Sequence, residues 1–336
     1  MDLLNNKIPD RVPHFELLIF GKVINALHKD VDYLEFCVKE DIDLLFIKRK
    51  FHNSWIDKEN GLYTNEWKVL RKVGSEDTHD YIDGPIKTIN DLKNLKIPDP
   101  LDDYIFSDLV EAVNKYKKNK IICFFSKATF NFPWSLIGSF QQYLMEFYQN
   151  PELIRKLHKV SEDYHLAMTE KALDLGADII ALTDDYAYRD KMFIPRDKFK
   201  EFCLGPLERM SDLVHRKGGY LLFHSDGNLE EVLDLIIDTG IDFLHPVEPG
   251  AMDIKKVYDQ YKDRVIICGN LDCAHTLTFG TPGDVRKEAL WLLENIAPEG
   301  RYIMSSSNTI HSKVKPENYR MMLDTIKTYG KYPITV

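Results

Sequence analysis

Residues 220–228 read YLLFHSDGN, and this stretch decides the fold that the sequence predicts. The apolar run at 220–223 is typical of a buried strand. The strand ends at His224, after which Asp226 and Asn228 are polar and Gly227 permits a turn. A helical pattern begins at Leu229. α/β folds carry their chemistry where a strand ends in polar residues before a helix.

The same alternation of apolar strands and amphipathic helices recurs along the chain. The strand candidates are residues 13–19, 44–47, 121–126, 178–183, 220–224, 242–246, 265–269 and 302–306. Each candidate except the first follows a helical segment, which predicts a parallel sheet. Eight units predict an α/β fold of the (β/α)8 TIM-barrel type. Gly205-Pro206 predicts a kink or break in the helix expected over 195–217.

A long insertion separates the second and third predicted strands. Residues 48–118 carry aromatic residues separated by turn residues, which favours an ordered lid at the barrel rim over a disordered loop. The whole chain of 336 residues is compatible with one barrel domain spanning 1–336.

Composition limits the classes of partner. A net charge of −9 argues against binding to nucleic acid or to an anionic membrane, since both need cationic surface. We find no secretory signal and no run near the roughly 18 apolar residues that span a bilayer. Most of the five cysteines lie in apolar patterns, as expected of a cytoplasmic protein with reduced thiols. Cys273 follows a strand, but a buried role is favoured over ligation.

Residues that follow parallel strands converge at one face of a barrel, and here they suggest a metal site. His224, Glu248 and either Asp185 or Asp226 would supply one imidazole and two carboxylates, a set that suits zinc or another divalent metal. The alternative is that these groups only hydrogen-bond the loop ends. Of the adjacent pair Asp184-Asp185, only one can face the barrel axis, and either could instead stabilise a helix N-terminus.

Two further groups have open interpretations. The aromatic stretch containing Phe132 and Trp134 could stack on a flat substrate or lie in the core beneath the lid. Ser307 and Asn308 could bind an anion or form an ordinary polar turn.

These residues together resemble the uroporphyrinogen decarboxylase superfamily along nearly the whole chain. The markers are Gly84-Pro85-Ile86, Asn150-Pro151-Glu152, Gly176-Ala177-Asp178, the HxDGN pattern at 224–228, Gly269-Asn270-Leu271-Asp272 and Lys315-Pro316-Glu317-Asn318. The resemblance implies a (β/α)8 barrel. One branch comprises true decarboxylases, which need no cofactor and carry an arginine-rich N-terminal segment. Residues 11–21 read RVPHFELLIFG here and lack that arginine-rich part.

The other branch transfers methyl groups with corrinoid proteins, and its coenzyme M enzymes hold zinc with an HxC pair, a late cysteine and a glutamate. His224 matches the histidine and Glu248 matches the glutamate, whereas Asp226 and Asn308 stand where the two cysteines would be. The loss of both thiolates favours an O-demethylase type of methyl donor.

The resemblance thus implies a zinc-dependent methyltransferase. It would take a methyl group from a small methylated substrate, such as an aryl methyl ether, to cobalamin on a corrinoid partner protein. The expected metal ligands are His224, Glu248 and Asp226; the expected catalytic residues are Asp185, Asp226 and Tyr186; the expected substrate-binding residues are Asn308, Phe132, Trp134 and Ser307. A homodimer is expected only by analogy with the superfamily. The alternatives are a uroporphyrinogen decarboxylase and a non-catalytic binding protein.

Overall fold

A parallel sheet of seven strands forms the centre of the molecule. The computed structural model describes residue 3 and residues 7–74, 79–127 and 129–335. In chain order its strands are β1 (Leu44–Ile47), β2 (Ser54–Asp57), β3 (Leu62–Thr64), β4 (Leu70–Val73), β5 (His79–Asp83), β6 (Ile121–Lys127), β7 (Ile179–Thr183), β8 (Tyr220–His224), β9 (Phe243–His245), β10 (Ile266–Leu271) and β11 (Tyr302–Ser306). The parallel sheet has the order β1-β6-β7-β8-β9-β10-β11, so its strands lie side by side in the order in which they occur along the chain.

The sheet curls toward closure through the segment that was expected to be the first strand. His14 makes a parallel bridge to Met304 of β11, and Phe15 makes one to Leu44 of β1. The segment therefore bridges both edges of the sheet through isolated bridges, and residues 13–19 do not form the continuous strand that was predicted. The arrangement is consistent with a TIM-like barrel.

Helices surround the sheet. They are α1 (Gly21–Leu27), α2 (Tyr33–Lys39), α3 (Ile89–Asn94), α4 (Ser107–Tyr116), α5 (Asn131–Ile137), α6 (Phe140–Gln149), α7 (Pro151–Asp174), α8 (Arg196–Phe199), α9 (Gly205–Arg216), α10 (Leu233–Asp238), α11 (Ile254–Tyr261), α12 (Thr276–Phe279), α13 (Pro282–Asn295) and α14 (Pro316–Tyr329). No helix in the described ranges is long and apolar enough to cross a membrane.

No break occurs at Gly205-Pro206. Residues Lys200–Leu204 form a π-helical turn that joins α8 to α9 without a gap, and such turns are a common cause of helix kinks. Pro206 has no backbone N–H to donate to the preceding turn, and the π-helical turn lies directly before it.

Successive side chains along each strand of the parallel sheet alternate between two apolar layers. Leu44, Ile179 and Leu222 belong to a smaller cluster inside the sheet, while Leu45 and Ile180 belong to the large cluster between sheet and helices. Because side chains alternate along a strand, the inward series continues toward the carboxyl ends of the strands. This alternation determines which polar side chains reach the mouth of the sheet.

Strands β2 to β5 form a separate antiparallel sheet within residues 48–118. The sheet packs against the barrel through Tyr81, whose ring lies 4.7 Å from that of Trp134 in α5. Lid function for this segment and the assignment of one domain to residues 1–336 remain predictions.

Candidate metal centre and substrate cavity

His224, Asp185 and Asp226 meet at the carboxyl ends of β7 and β8. His224 is the last residue of β8 and is in register with Thr183, the last residue of β7. It continues the inward series of Leu222, whereas Asp185 and Asp226 lie in the loops that follow the two strands. Strand alternation and parallel register therefore bring one imidazole and two carboxylates to one point.

The three side chains have the spacing of a metal site. The Nε2 atom of His224 lies 3.8 Å from Oδ1 of Asp185 and 3.8 Å from Oδ1 of Asp226. One ligand atom from each of the three residues lies within 4.8 Å of the other two. Two atoms bound tetrahedrally to one zinc ion at about 2.1 Å would lie about 3.4 Å apart. The two distances from His224 exceed that value by only a few tenths of an ångström.

Asp226 has a buried oxygen without a partner. Its Oδ2 accepts a hydrogen bond from Nδ2 of Asn308 at 2.8 Å, but its Oδ1 is buried and has no hydrogen bond. The pKa of Asp226 is raised to about 6, chiefly by burial and also by the neighbouring carboxylates of Asp185 and Glu248, against the opposing effects of His224 and of the hydrogen bond from Asn308. An orphaned buried carboxylate oxygen that faces an imidazole nitrogen is a site that a cation would stabilise.

The tautomer of His224 follows from its hydrogen-bond network. The hydroxyl of Ser305 donates to the backbone oxygen of Ser306, so its Oγ accepts from Nε2 of His245 at 3.2 Å. Burial, together with the charge of His224, keeps the pKa of His245 well below its ordinary value. Neutral His245 therefore presents an unprotonated Nδ1, which accepts from Nδ1 of His224 at 2.7 Å.

When His224 is neutral, this hydrogen bond places its proton on Nδ1, and Nε2 keeps its lone pair. That lone pair then faces two carboxylate oxygens at 3.8 Å, too far for a hydrogen bond and of like polarity. A metal ion between them would resolve this conflict, and the histidine-to-histidine hydrogen bond is the type of contact that orients metal-ligating imidazoles. The supporting role of His245 was not predicted from the sequence.

The adjacent acids Asp184 and Asp185 point in opposite directions. Asp185 accepts from Nδ2 of Asn131 at 2.9 Å and from the backbone N–H of Asp226 at 3.1 Å. Asp184 is fully buried and accepts from the backbone N–H groups of Phe130 and Asn131. Burial raises the pKa of Asp184 to about 6 although these hydrogen bonds lower it. Asp185 thus fits the interpretation of an acid that faces the barrel axis, and Asp184 fits that of an acid at a helix N-terminus.

Glu248 lies beside this centre but supports the loop. Its Oε2 accepts from the backbone N–H of Gly227 at 2.7 Å. Gly227 has φ of +85°, and a Cβ there would lie 2.6 Å from the backbone oxygen of Ala187. Among the described residues, the group of three with metal-ligand spacing does not include Glu248. Its role as a ligand remains a prediction.

The residues predicted to contact substrate have different environments. Phe132 stacks on Tyr164 in the core, and Trp134 packs edge-on against Phe140. Tyr186 is fully buried and stacks on Phe223. The hydroxyl of Ser307 accepts from the backbone N–H of Cys273.

Asn308, in contrast, contacts Asp226 directly. The structure thus brings Asn308 to the centre and gives the other four residues packing or hydrogen-bonding roles around it. Cys273 is buried as expected, and burial raises the pKa of its thiol to about 12.

A cavity of about 240 Å³ opens at this centre. It is lined by Leu17, Leu18, Phe46, Lys48, Phe125, Lys127, Asn131, Thr183, Asp185, His224 and Thr309. Lys127 ends β6 and is among the residues that the rule for strand ends predicts at this face, whereas Lys48, which follows β1 directly, meets the same rule but was not predicted. No sequence signal distinguished Leu17 and Leu18, which reach the cavity only through the folded path of the N-terminal segment.

Comparison with known proteins relates the chain to two activities. The family model for uroporphyrinogen decarboxylase (URO-D) matches residues 73–329. A uroporphyrinogen decarboxylase of Hydrogenovibrio crunogenus is 24% identical over 70% of this chain and 67% of its own length. A methylcobamide:CoM methyltransferase, MtbA, of Methanosarcina acetivorans is 25% identical over 53% of this chain and 50% of its own length.

A solved structure covers nearly all of the chain. A methyltransferase from Methanosarcina mazei superposes with a TM-score of 0.76 at 16% identity, covering 97% of this chain and 96% of that one. At this identity the likeness establishes the fold alone. It supports the barrel architecture.

Proposed function

The chain belongs to the uroporphyrinogen decarboxylase (URO-D) family, and on this premise we propose that it is a metal-dependent methyltransferase. It would take a methyl group from a small methylated donor to cobalamin on a corrinoid protein. The observation that carries the proposal is the unpartnered Oδ1 of Asp226 facing Nε2 of His224, with a carboxylate oxygen of Asp185 at the same distance from that nitrogen. The decarboxylase branch works without a cofactor and needs no such centre.

The residues present fit a divalent metal such as zinc. His224, Asp185 and Asp226 would hold it, and Glu248 is the nearest further carboxylate. A zinc ion in an open site acts as a Lewis acid and polarises a bound oxygen, which makes an ether oxygen a better leaving group.

The chain's own residues prepare this centre. His245 orients His224, Asn308 restrains Asp226 and Asn131 restrains Asp185. These restraints limit the ligands to one arrangement, so little reorganisation is needed when the donor binds. Leu17, Phe46 and Phe125 supply the apolar wall against which the body of a small donor would pack.

The size of the cavity agrees with a small donor. Its volume of about 240 Å³ is below the range of roughly 300–1,000 Å³ that is usual for drug-sized ligands and suits a one-ring donor. Sequence identity to named decarboxylases is the observation that keeps decarboxylation as a second candidate.

The test is metal analysis followed by turnover. We expect purified protein to retain about one equivalent of zinc through dialysis, and to transfer methyl groups from at least one aryl methyl ether to cob(I)alamin, followed by its absorption spectrum. Chelation should abolish transfer. His224→Ala should lose both metal and transfer, whereas His158→Ala, which removes a buried histidine elsewhere, should retain both.

Two outcomes would contradict the proposal. Chelator-insensitive decarboxylation of uroporphyrinogen would assign the chain to the decarboxylase branch. Absence of both metal retention and turnover across the donor panel would leave a non-catalytic binding protein.

A further inference from the structure

Lys127 is a cation that faces the cavity without a carboxylate partner. It ends β6, is partly buried, and its Nζ lies 5.9 Å from the centre of the Phe125 ring. No salt bridge in the described part of the chain involves Lys127. Its charge acts on the buried carboxylate of Asp184, but the two groups form no ion pair, so Lys127 can bind a negative group that enters the cavity.

Two arginines add positive potential on the same side. Arg49 is buried, donates to the hydroxyl of Tyr164 at 3.2 Å and stacks over Phe51. Arg71 stacks over Tyr81, with its guanidinium carbon 4.3 Å from the ring centre. Neither arginine has an ion-pair partner among the residues that the structure describes.

The combined effect of these cations is seen in the pKa of the Tyr81 hydroxyl. Burial by itself would raise the pKa of its hydroxyl, but the charges of Lys127, Arg71 and Arg49 outweigh burial and lower that pKa. The net charge of the chain is −9, so this local excess of positive charge opposes the overall field. Such an excess is stabilised when an anion binds beside it.

Strand register gives the spacing between Lys127 and His224 of the candidate metal centre. Lys127 is in register with Thr183, and Thr183 is in register with His224. All three line the cavity. Two strand spacings separate Lys127 from His224, roughly 10 Å between their backbones. A single ring that carries an anionic group at one end and a methyl ether at the other fits this distance.

We propose that the cavity selects methyl donors that bear a carboxylate, with the carboxylate at Lys127 and the methylated oxygen toward His224, Asp185 and Asp226. The assignment rests on the proposed function for the methylated end, but the carboxylate subsite stands on Lys127 and its neighbouring arginines. Lys48 lines the same cavity and adds a second positive charge near the subsite.

The test measures binding separately from methyl transfer. The probes are para-methoxybenzoate and its uncharged amide, titrated calorimetrically into full-length protein at low salt, with and without bound zinc. We expect the acid to bind at least about 10-fold more tightly than the amide, in both metal states. Lys127→Met should remove the preference, and Lys127→Arg should keep it.

Lys118→Met is the matched control for Lys127→Met. Lys118→Met removes an exposed lysine on the turn before β6 and should leave the preference unchanged. Thermal unfolding establishes that Lys127→Met is folded. Equal affinity for acid and amide, binding of neither, or a preference that survives in Lys127→Met would overturn the carboxylate subsite. Selective acid binding without methyl transfer would retain the subsite and refute the proposed function instead.

Discussion

His224 and Asp226 illustrate how much of the site depends on single atoms. Ser305 and His245 hold Nδ1 of the imidazole in a chain of hydrogen bonds, which leaves Nε2 directed toward the carboxylates. Asp226 keeps one oxygen restrained by Asn308 and leaves the other bare. A thiolate is thus absent from a position where the resemblance implies one, and an oriented carboxylate stands there.

At this scale we predict that His245→Ala weakens metal binding. Removal of the imidazole frees Nδ1 of His224 and lets the ring rotate, so the zinc dissociation constant should rise about 10- to 100-fold. Competition against a coloured chelator measures this constant.

His158→Ala is the matched control for that prediction. His158 is also buried, and burial lowers its pKa to about 4, but it bonds to Tyr143 and not to the metal centre. An unchanged zinc affinity in His245→Ala would contradict the supporting role of His245.

At the level of elements, the antiparallel sheet is fixed to the barrel by a close backbone contact. Gly84 follows β5, and a Cβ on it would lie 2.1 Å from the backbone oxygen of Leu136 in α5. The amide of Ile86 also donates to that oxygen at 2.9 Å. The contact admits glycine alone, which explains in physical terms the Gly84-Pro85-Ile86 marker.

We therefore predict that Gly84→Ala loosens the antiparallel sheet. Overpacking against backbone atoms should cost about 1–3 kcal/mol, and the sheet should become more sensitive to limited proteolysis. Gly283→Ala is the control, since a Cβ there meets nothing closer than 3.6 Å. Equal protease resistance of the Gly84→Ala and wild-type proteins would show that this contact does not hold the sheet.

At the scale of the whole molecule, Glu40 connects the N-terminal and C-terminal parts of the chain. Its buried carboxylate follows α2 and accepts from Arg320 and Lys327 of α14 and from His28. Burial acts to raise the pKa of Glu40, but hydrogen bonds from Arg320, Lys327 and His28 dominate and hold it well below its ordinary value.

We predict that Glu40→Gln lowers the free energy of unfolding by roughly 1–3 kcal/mol at neutral pH, since two partly exposed cations lose their buried partner. A lowered pKa in the folded state stabilises the protein above the unfolded value of 4.5, and this contribution declines as the pH falls below that value. The difference between variant and wild type should therefore shrink in acid, as measured by denaturant unfolding at several pH values.

Glu111→Gln provides the comparison for this prediction. It removes an exposed carboxylate paired with Lys115 one helical turn away and should have little effect at any pH. A pH-independent difference for Glu40→Gln would rule out the charged network as its cause.

The sequence by itself determined the seven strands of the parallel sheet, their order along the chain and the convergence of His224, Asp185 and Asp226. These features follow from local periodicity, and parallel strands necessarily present their carboxyl ends at one edge. The sequence also predicted that the side chains of Asp184 and Asp185 point to opposite sides, because successive side chains on an extended segment do so.

Only the tertiary structure decided which acid faces the cavity, that Tyr186 and Phe132 are buried in aromatic packing, and that His245 orients His224. It also revealed that Lys127 shares the cavity with the candidate metal centre. These relations join residues that are distant in sequence, and they depend on register between neighbouring strands and on the packing of loops over the barrel mouth. Neither is encoded in the local pattern of any one segment.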